Sequence, residues 1–172
     1  MVIRPARFGD FEQIFQMYMR GYIEANEDPN FGDVNRLKKP DRKVMPAWRR
    51  GLCRDIKAGN LVYTVACEGS DVLGFCFVKK VDIPDSELSH VGNLGIRVVK
   101  EMRGRGIGTA LLKDMIRRCR GRFEIIDLQV MSINKAAEKL YKRHGFRRWG
   151  TAPGYVKRNG RHIDQYHLAL RL

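Results

Sequence analysis

Between Leu94 and Leu112 the chain reads L-G-I-R-V-V-K-E-M-R-G-R-G-I-G-T-A-L-L. Leu94-Gly95-Ile96-Arg97-Val98-Val99 is a short apolar run of the strand type. A glycine-punctuated turn follows, Arg103-Gly104-Arg105-Gly106-Ile107-Gly108. Ile107, Leu111, Leu112, Met115, Ile116 and Cys119 then recur at helical spacing. A strand, a glycine turn and a helix in this order aim unpaired main-chain N–H groups at an anion. The first turn of a helix lacks acceptors for its N–H groups and carries a partial positive charge. Glycine lets a phosphate approach that main chain closely. Arg103 and Arg105 add charge at the same place. The same residues also suit an ordinary tight turn with solvated arginines. The pattern is neither G-x-G-x-x-G nor G-x-x-x-x-G-K-[ST], so the two common nucleotide fingerprints are excluded.

A second stretch with chemical potential runs from Ile126 to Phe146, I-D-L-Q-V-M-S-I-N-K-A-A-E-K-L-Y-K-R-H-G-F. It reads as a strand, then Asn134, then a helix stopped at Gly145-Phe146. Asn134 suits a helix N-cap. Tyr141 lies on the helix's apolar face, where it can pack, and its phenol is also a proton donor.

These pieces have to be positioned by the rest of the chain. Val2 to Ala6 predicts a short strand, with Pro5 tolerable near an edge. Asp10 and Gln13 predict a capped helix start, and Phe11, Ile14, Phe15, Tyr18 and Tyr22 its apolar stripe. Glu24 to Pro40 is a long polar connection, a candidate substrate-facing loop or a surface insertion. Trp48, Leu52 and Ile56 mark a second helix closed by Gly59-Asn60. Leu61 to Cys67 and Val72 to Val81 pair around the turn Glu68-Gly69-Ser70-Asp71, and Asp82-Ile83-Pro84-Asp85 turns again. A strand from about Leu88 to Val99 enters the glycine turn, and its helix ends near Gly121. Phe123 to Met131 is a strand, and two last strands flank Asn159-Gly160, the second being Ile163 to Leu170. The order β-α-α-β-β-β-α-β-α-β-β predicts one mixed α/β domain over residues 1–172.

The composition is that of an ordinary globular domain, with 44% hydrophobic and 30% charged residues. No apolar run is long enough to span a bilayer, and the first residues lack a signal peptide's apolar core. Cys53, Cys67, Cys76 and Cys119 form no C-x-x-C, and three of them sit in apolar stretches as free thiols do. The expectation is a cytoplasmic, reduced protein without metal. The net charge is +14 and is dispersed, in Arg42-Lys43, Arg49-Arg50, Lys79-Lys80, Arg117-Arg118, Arg147-Arg148 and Lys157-Arg158. Dispersal favours a generally basic surface over a nucleic-acid patch.

Arg103-x-x-Gly106-x-Gly108 resembles the acetyl-CoA signature (Q/R)-x-x-G-x-(G/A) of the GCN5-related N-acetyltransferases. The strand, asparagine and A-x-x-L-Y-x-x-x-G-F that follow are similar to that family's next motif, and the element order agrees. The resemblance implies the GNAT fold, a twisted mixed sheet of about seven strands with about four helices. It implies acetyl-CoA as co-substrate, with the pyrophosphate on Arg103, Gly104, Arg105, Gly106, Ile107, Gly108 and Thr109. The pantetheine would pair with the main chain of Ile96, Arg97 and Val98, where the family's strands splay. Asn134 would contact the cofactor, and Tyr141 would contact it and be the general acid. The N–H near Val98 would polarise the thioester oxygen. Transfer would go directly to a primary amine in a ternary complex.

The family's general base is missing. Its glutamate position on the strand before the turn is Gly92 here, and the alternative position on the next strand is Gln129. His90 shares a face with Gly92, Leu94, Ile96 and Val98 by alternation and has a suitable pKa range. It is the candidate base, with Glu87 and Asp127 behind it. An acceptor that deprotonates in solution needs none. The C-terminal G-T-A-P-G-Y-V-K-R-N-G-R-H-I-D-Q-Y-H-L-A-L, with S-H-V-G-N-L-G-I-R-V, is similar to bacterial members that acetylate small amines, including amino acids. Tyr155 and the 24–40 stretch are candidate acceptor-lining segments. The basic charge suits a carboxylate-bearing acceptor better than a polyamine. Two other readings stay open: a protein N-terminal or lysine acetyltransferase, and a non-catalytic basic nucleic-acid-binding or regulatory module on this fold. A homodimer is also plausible.

Overall fold

The computed structural model describes residues 1–27, 41–83 and 87–172. The elements are β1 (Val2–Pro5), α1 (Asp10–Glu27), α2 (Met45–Lys57), β2 (Leu61–Glu68), β3 (Asp71–Lys80), β4 (Val91–Val98), α3 (Ile107–Cys119), β5 (Ile125–Met131), α4 (Lys135–Arg143), β6 (Arg147–Arg158) and β7 (Arg161–Arg171). Short 3-10 turns at Leu88–His90 and Lys100–Met102 flank β4. The element order matches the one expected. Seven strands form one sheet in the order β1-β2-β3-β4-β5-β7-β6. The β4–β5 pair is parallel and the others are antiparallel.

Two apolar clusters sandwich the sheet. On one face Phe11, Ile14 and Met17 of α1, with Trp48 and Leu52 of α2, cover Tyr63, Val65, Val72 and Phe75. On the other face Leu111, Leu112 and Met115 of α3, with Tyr141 of α4, cover Val78, Leu94, Ile126, Leu128 and Leu168. Burial on both faces explains why β2 reads as a nearly continuous apolar run, interrupted by Thr64. β1, with Pro5, is an edge strand, where a missing N–H costs least.

Three expectations differ from the structure. α1 continues to Glu27, through the beginning of the stretch read as a polar connection. The remainder of that connection, and Pro84-Asp85, lie outside the described residues. β4 begins at Val91 rather than Leu88, because Leu88–His90 close a 3-10 turn first. Gln13 does not complete a capping box. Its amide donates to the Ser70 carbonyl at 2.8 Å and accepts the Val72 N–H at 2.9 Å, so it clamps α1 to the β2–β3 turn.

Asp10 is held instead by the chain before it. Its two oxygens accept both Arg4 terminal nitrogens at 2.7 and 2.8 Å, and the Arg7 N–H at 2.6 Å. Burial pushes the Asp10 carboxyl up, but the Arg4 hydrogen bonds, the Arg7 N–H and the nearby guanidinium charges outweigh it and hold it below the usual range. A lowered folded pKa contributes stability that is present above the unfolded value and is lost as pH falls through the folded one. Asp10→Asn should therefore cost about 2 kcal/mol at neutral pH, measured by urea unfolding. The difference from wild type should shrink as pH falls below the ordinary carboxylate range, where the wild-type carboxyl also protonates.

Candidate active site

The site is created by a failure of pairing. β4 and β5 are bridged at Val91↔Ile125, Gly92↔Ile126 and Asn93↔Asp127, and nowhere beyond. From there the strands diverge, while β4 stays paired with β3 through Val98 and β5 with β7 through Met131. Alternation says which groups face the gap. The Val91 carbonyl accepts the Val81 N–H, and the Val99 N–H donates to Leu73, so the odd-numbered residues of β4 turn their main chain toward β3. The even-numbered ones turn it the other way. Ile96 N–H and C=O and Val98 N–H are thus left facing an open slot. The Ser132 N–H donates to Asp164, which puts the even-numbered residues of β5 on the β7 side and Gln129 N–H and C=O on the opposite wall. A linear ligand with amides can lie between these walls as an added strand.

At the mouth of the slot lies the glycine turn, with the backbone its sequence suggests. Gly104 and Gly106 have φ of 77° and 80°, the left-handed region that glycine enters without strain. Gly106 caps α3 without a side-chain partner, and the first α3 bond runs from Ala110 N–H to the Gly106 carbonyl. The N–H groups of Ile107, Gly108 and Thr109 therefore have no intrahelical acceptor. A methyl added at Gly106 would meet nothing within 4 Å, so the space in front is open. At Gly108 it would lie 3.3 Å from Leu140, so this glycine lets α3 and α4 approach. Arg105 is exposed, with no hydrogen bond or ion pair among the described residues. These groups fit a pyrophosphate.

Arg103 is more engaged than its motif suggests. Its Nε donates to the Val98 carbonyl at 3.1 Å, and a terminal nitrogen meets Glu24 of α1 at 2.5 Å. It ties the open end of β4 to the last turns of α1. Glu24 was not legible as its partner, because 79 residues separate the two in the chain.

Tyr141 and Asn134 stand on the α4 side. Tyr141 is 7% exposed and packs on Phe146 with ring centroids 5.7 Å apart. Burial first, then the neighbouring Cys76, raises its phenol pKa well above the ordinary value, so it stays protonated at neutral pH. Packing and proton donation are compatible here. Asn134 is the α4 cap, its Oδ1 accepting the Ala137 N–H at 3.1 Å, which leaves its amide N–H groups for other partners.

Two residues named from sequence are not brought to the slot. Arg97 turns its main chain to β3, and its side chain crosses to α1, where it donates to the Met17 carbonyl at 3.3 Å. A Cβ at Gly21 would fall 1.2 Å from this guanidinium, so glycine there makes its room. His90 ends the 3-10 turn before β4 and accepts main-chain contact with Glu124 at the paired end of the strands. Eight residues of strand separate it from Val98, about 26 Å at the usual rise. Shared facing by alternation does not bring a residue to the same end of a strand, and His90 stands before the paired end of β4, not beside Val98. Glu87 precedes it in the same turn. The empty glutamate position also has a steric cause: a Cβ at Gly92 would come within 2.3 Å of Val78 and 3.2 Å of Phe123. That direction is core.

On the opposite face, at the point where the strands part, stands Asp127. Its Oδ1 accepts the Trp149 indole N–H at 3.0 Å and its Oδ2 the Gln129 amide at 2.9 Å. Trp149 also meets His167 edge-on at 5.2 Å. Trp149 escaped the sequence reading because a bulge, where the register slips between Arg148 and Gly150, aims it there.

Residues 11–146 match the model of the acetyltransferase (GNAT) family. The chain is 30% identical over 171 residues to L-amino acid N-acetyltransferase AaaT of Escherichia coli K12, covering 98% of this chain and 96% of that one. It is similar in structure to yncA of Salmonella typhimurium, solved with acetyl-CoA, at a TM-score of 0.85 and 21% identity, covering 100% and 94% of the two chains. It is also similar to a ribosomal-protein-alanine N-acetyltransferase of Brucella melitensis, at a TM-score of 0.82 and 22% identity over both full chains.

The turn geometry makes a prediction. Gly106→Val places a branched side chain at a positive φ and pulls the first α3 N–H groups out of line. Acetyl-CoA affinity by calorimetry should fall at least about tenfold, the equivalent of about 1.4 kcal/mol, while the far-ultraviolet circular dichroism stays that of the wild type.

Proposed function

The chain belongs to the GNAT family of acetyltransferases, and we propose that it moves an acetyl group from acetyl-CoA to the primary amine of a small molecule such as an amino acid. The carrying observation is the slot between β4 and β5, with its open main-chain groups and the uncapped α3 start at its mouth. The likeness to an L-amino acid N-acetyltransferase over nearly the full length of both chains supports the acceptor class. So does the net charge of +14, which draws in a carboxylate-bearing amine and repels a polyamine.

Acetyl-CoA when bound supplies the activated acyl thioester. The α3 N–H groups with Arg105 hold its pyrophosphate, and Ile96 and Val98 align its amides. An N–H on this wall of the slot serves as donor to the thioester oxygen. Tyr141 holds a proton at its phenol oxygen for the departing sulfur. The transfer is direct. Three of the four cysteines are poor nucleophiles: Cys76 and Cys67 are buried with raised pKa values, and burial pushes the Cys119 thiol up to about 12.

Two results test this reading. Acetyl-CoA should bind saturably by calorimetry, and thiol release should appear with one or more free L-amino acids and not with N-terminal peptides. Thiol release with peptides alone would overturn the acceptor class. In the second, Tyr141→Phe should lower kcat about 100-fold and leave acetyl-CoA affinity within about twofold of wild type. An unchanged kcat would confine Tyr141 to packing.

A further inference from the structure

Asp127 occupies a particular place in the slot. The Asn93↔Asp127 bridge is the last before β4 and β5 part, so this pair is the slot's closed end. From Val98 to Asn93 is five residues of strand, about 16 Å. A ligand anchored by its phosphates at the α3 start and laid along β4 therefore runs its far end toward Asn93 and Asp127. The side chains of Ile126 and Leu128 point into the core under α3, so that of Asp127 points to the opposite face of the sheet. That face is partly open here, since Trp149 beside it is 65% exposed.

The carboxylate is prepared in a specific way. Each oxygen accepts one neutral donor, the Trp149 indole N–H at 3.0 Å and the Gln129 amide at 2.9 Å. Both hydrogen bonds fix its plane without neutralising it. A carboxylate offers about four acceptor positions, so about two stay available. Among the described residues Asp127 forms no ion pair, although the chain carries +14. Basic neighbours on the same face stand in the adjoining strands: Lys79, which pairs with Asp55 at 3.1 Å, Arg147 and His167. The Trp149 bulge serves this arrangement. Without the extra residue the register would not slip, and the indole would not reach over His167 to a strand two away.

We propose that Asp127, oriented by Trp149 and Gln129, is the site that receives the acceptor's amino group. This rests on the acetyltransferase reading above. Its free acceptor positions take the amine N–H groups, and its charge draws a cationic amine onto a basic protein. The ammonium first releases one proton to solvent. When the resulting neutral nitrogen bonds to the acyl carbon and the carbon–sulfur bond breaks, the nitrogen sheds its second proton to an Asp127 oxygen. The sulfur keeps the bonding electron pair and takes the Tyr141 proton. Asp127 thereby stands in for the base that Gly92 and Gln129 cannot supply. Trp149 and Gln129 are positioning residues.

The Trp149 indole N–H is a built-in reporter, since it donates to the oxygen the amine approaches. Full-length protein with 15N-labelled tryptophan is titrated with n-propylamine, with no acetyl-CoA present. The Trp149 indole cross-peak should shift saturably, the Trp48 peak should stay, and n-propanol should leave both in place. In Asp127→Asn, which keeps the shape, the amine-dependent shift should disappear, with acetyl-CoA affinity by calorimetry unchanged within about twofold. In turnover with an accepted amino acid, Asp127→Asn should lower kcat/KM for the amine at least 100-fold and leave the KM for acetyl-CoA alone. Trp149→Phe should raise the amine KM more than it lowers kcat. An Asp127→Asn protein that binds propylamine and turns over like wild type overturns the proposal. Failure of acetyl-CoA to bind the wild type, with the propylamine shift intact, would instead overturn the acetyltransferase reading and leave an amine site.

Discussion

The structure depends on a parallel strand pair that stops after three residues. β4 and β5 must run parallel, because α3 crosses over between them, and they are held together only at their beginnings. Each is then claimed by its other neighbour, β4 by β3 and β5 by β7. Their inner edges carry main-chain donors and acceptors that no strand satisfies. Unpaired main-chain groups along a strand edge can pair with an added chain, so a gap of this kind inside a sheet suits a guest with the amide spacing of a strand. The apolar clusters on the two faces supply the rigidity that keeps the gap from closing.

Around that gap the charged side chains divide the work. Arg103 is spent on structure, bracing the Val98 carbonyl against Glu24. Arg97 is spent likewise, laid over α1 in the room left by Gly21. Arg105 has no such duty among the described residues and stands at the anion end. The far end carries the opposite sign, in a carboxylate that among the described residues is bound only by neutral donors. The slot therefore runs from a positive mouth to a negative closed end. That polarity matches a phosphate at one end and an amine at the other.

Much of this was legible in the sequence, for identifiable reasons. Gly104 and Gly106 sit at positive φ, which few other residues tolerate, so their spacing writes the turn directly. Ile107, Leu111, Leu112 and Met115 write the α3 face, and all four are buried. Asn134 as cap and Gly145 as stop, with φ of 90°, bound α4 as expected. Such features are local: each depends on a few consecutive residues and on main-chain geometry. The family motif is also local, which is why it was readable.

The sequence by itself determined the element order, the glycine turn with its helix, and the membership that these carry. Only the tertiary structure decided which end of β4 is open. His90 closes the turn before β4 and Val98 ends that strand, so they lie at opposite ends of it, and alternation is blind to that. Likewise Gly92 could be read as a lost base, whereas its Cα faces Val78 and Phe123 and admits no side chain. Glu24 meets Arg103, and Trp149 meets Asp127, across 79 and 22 residues. Contacts of that range follow from sheet order and from a bulge, and neither leaves a periodic trace in the chain.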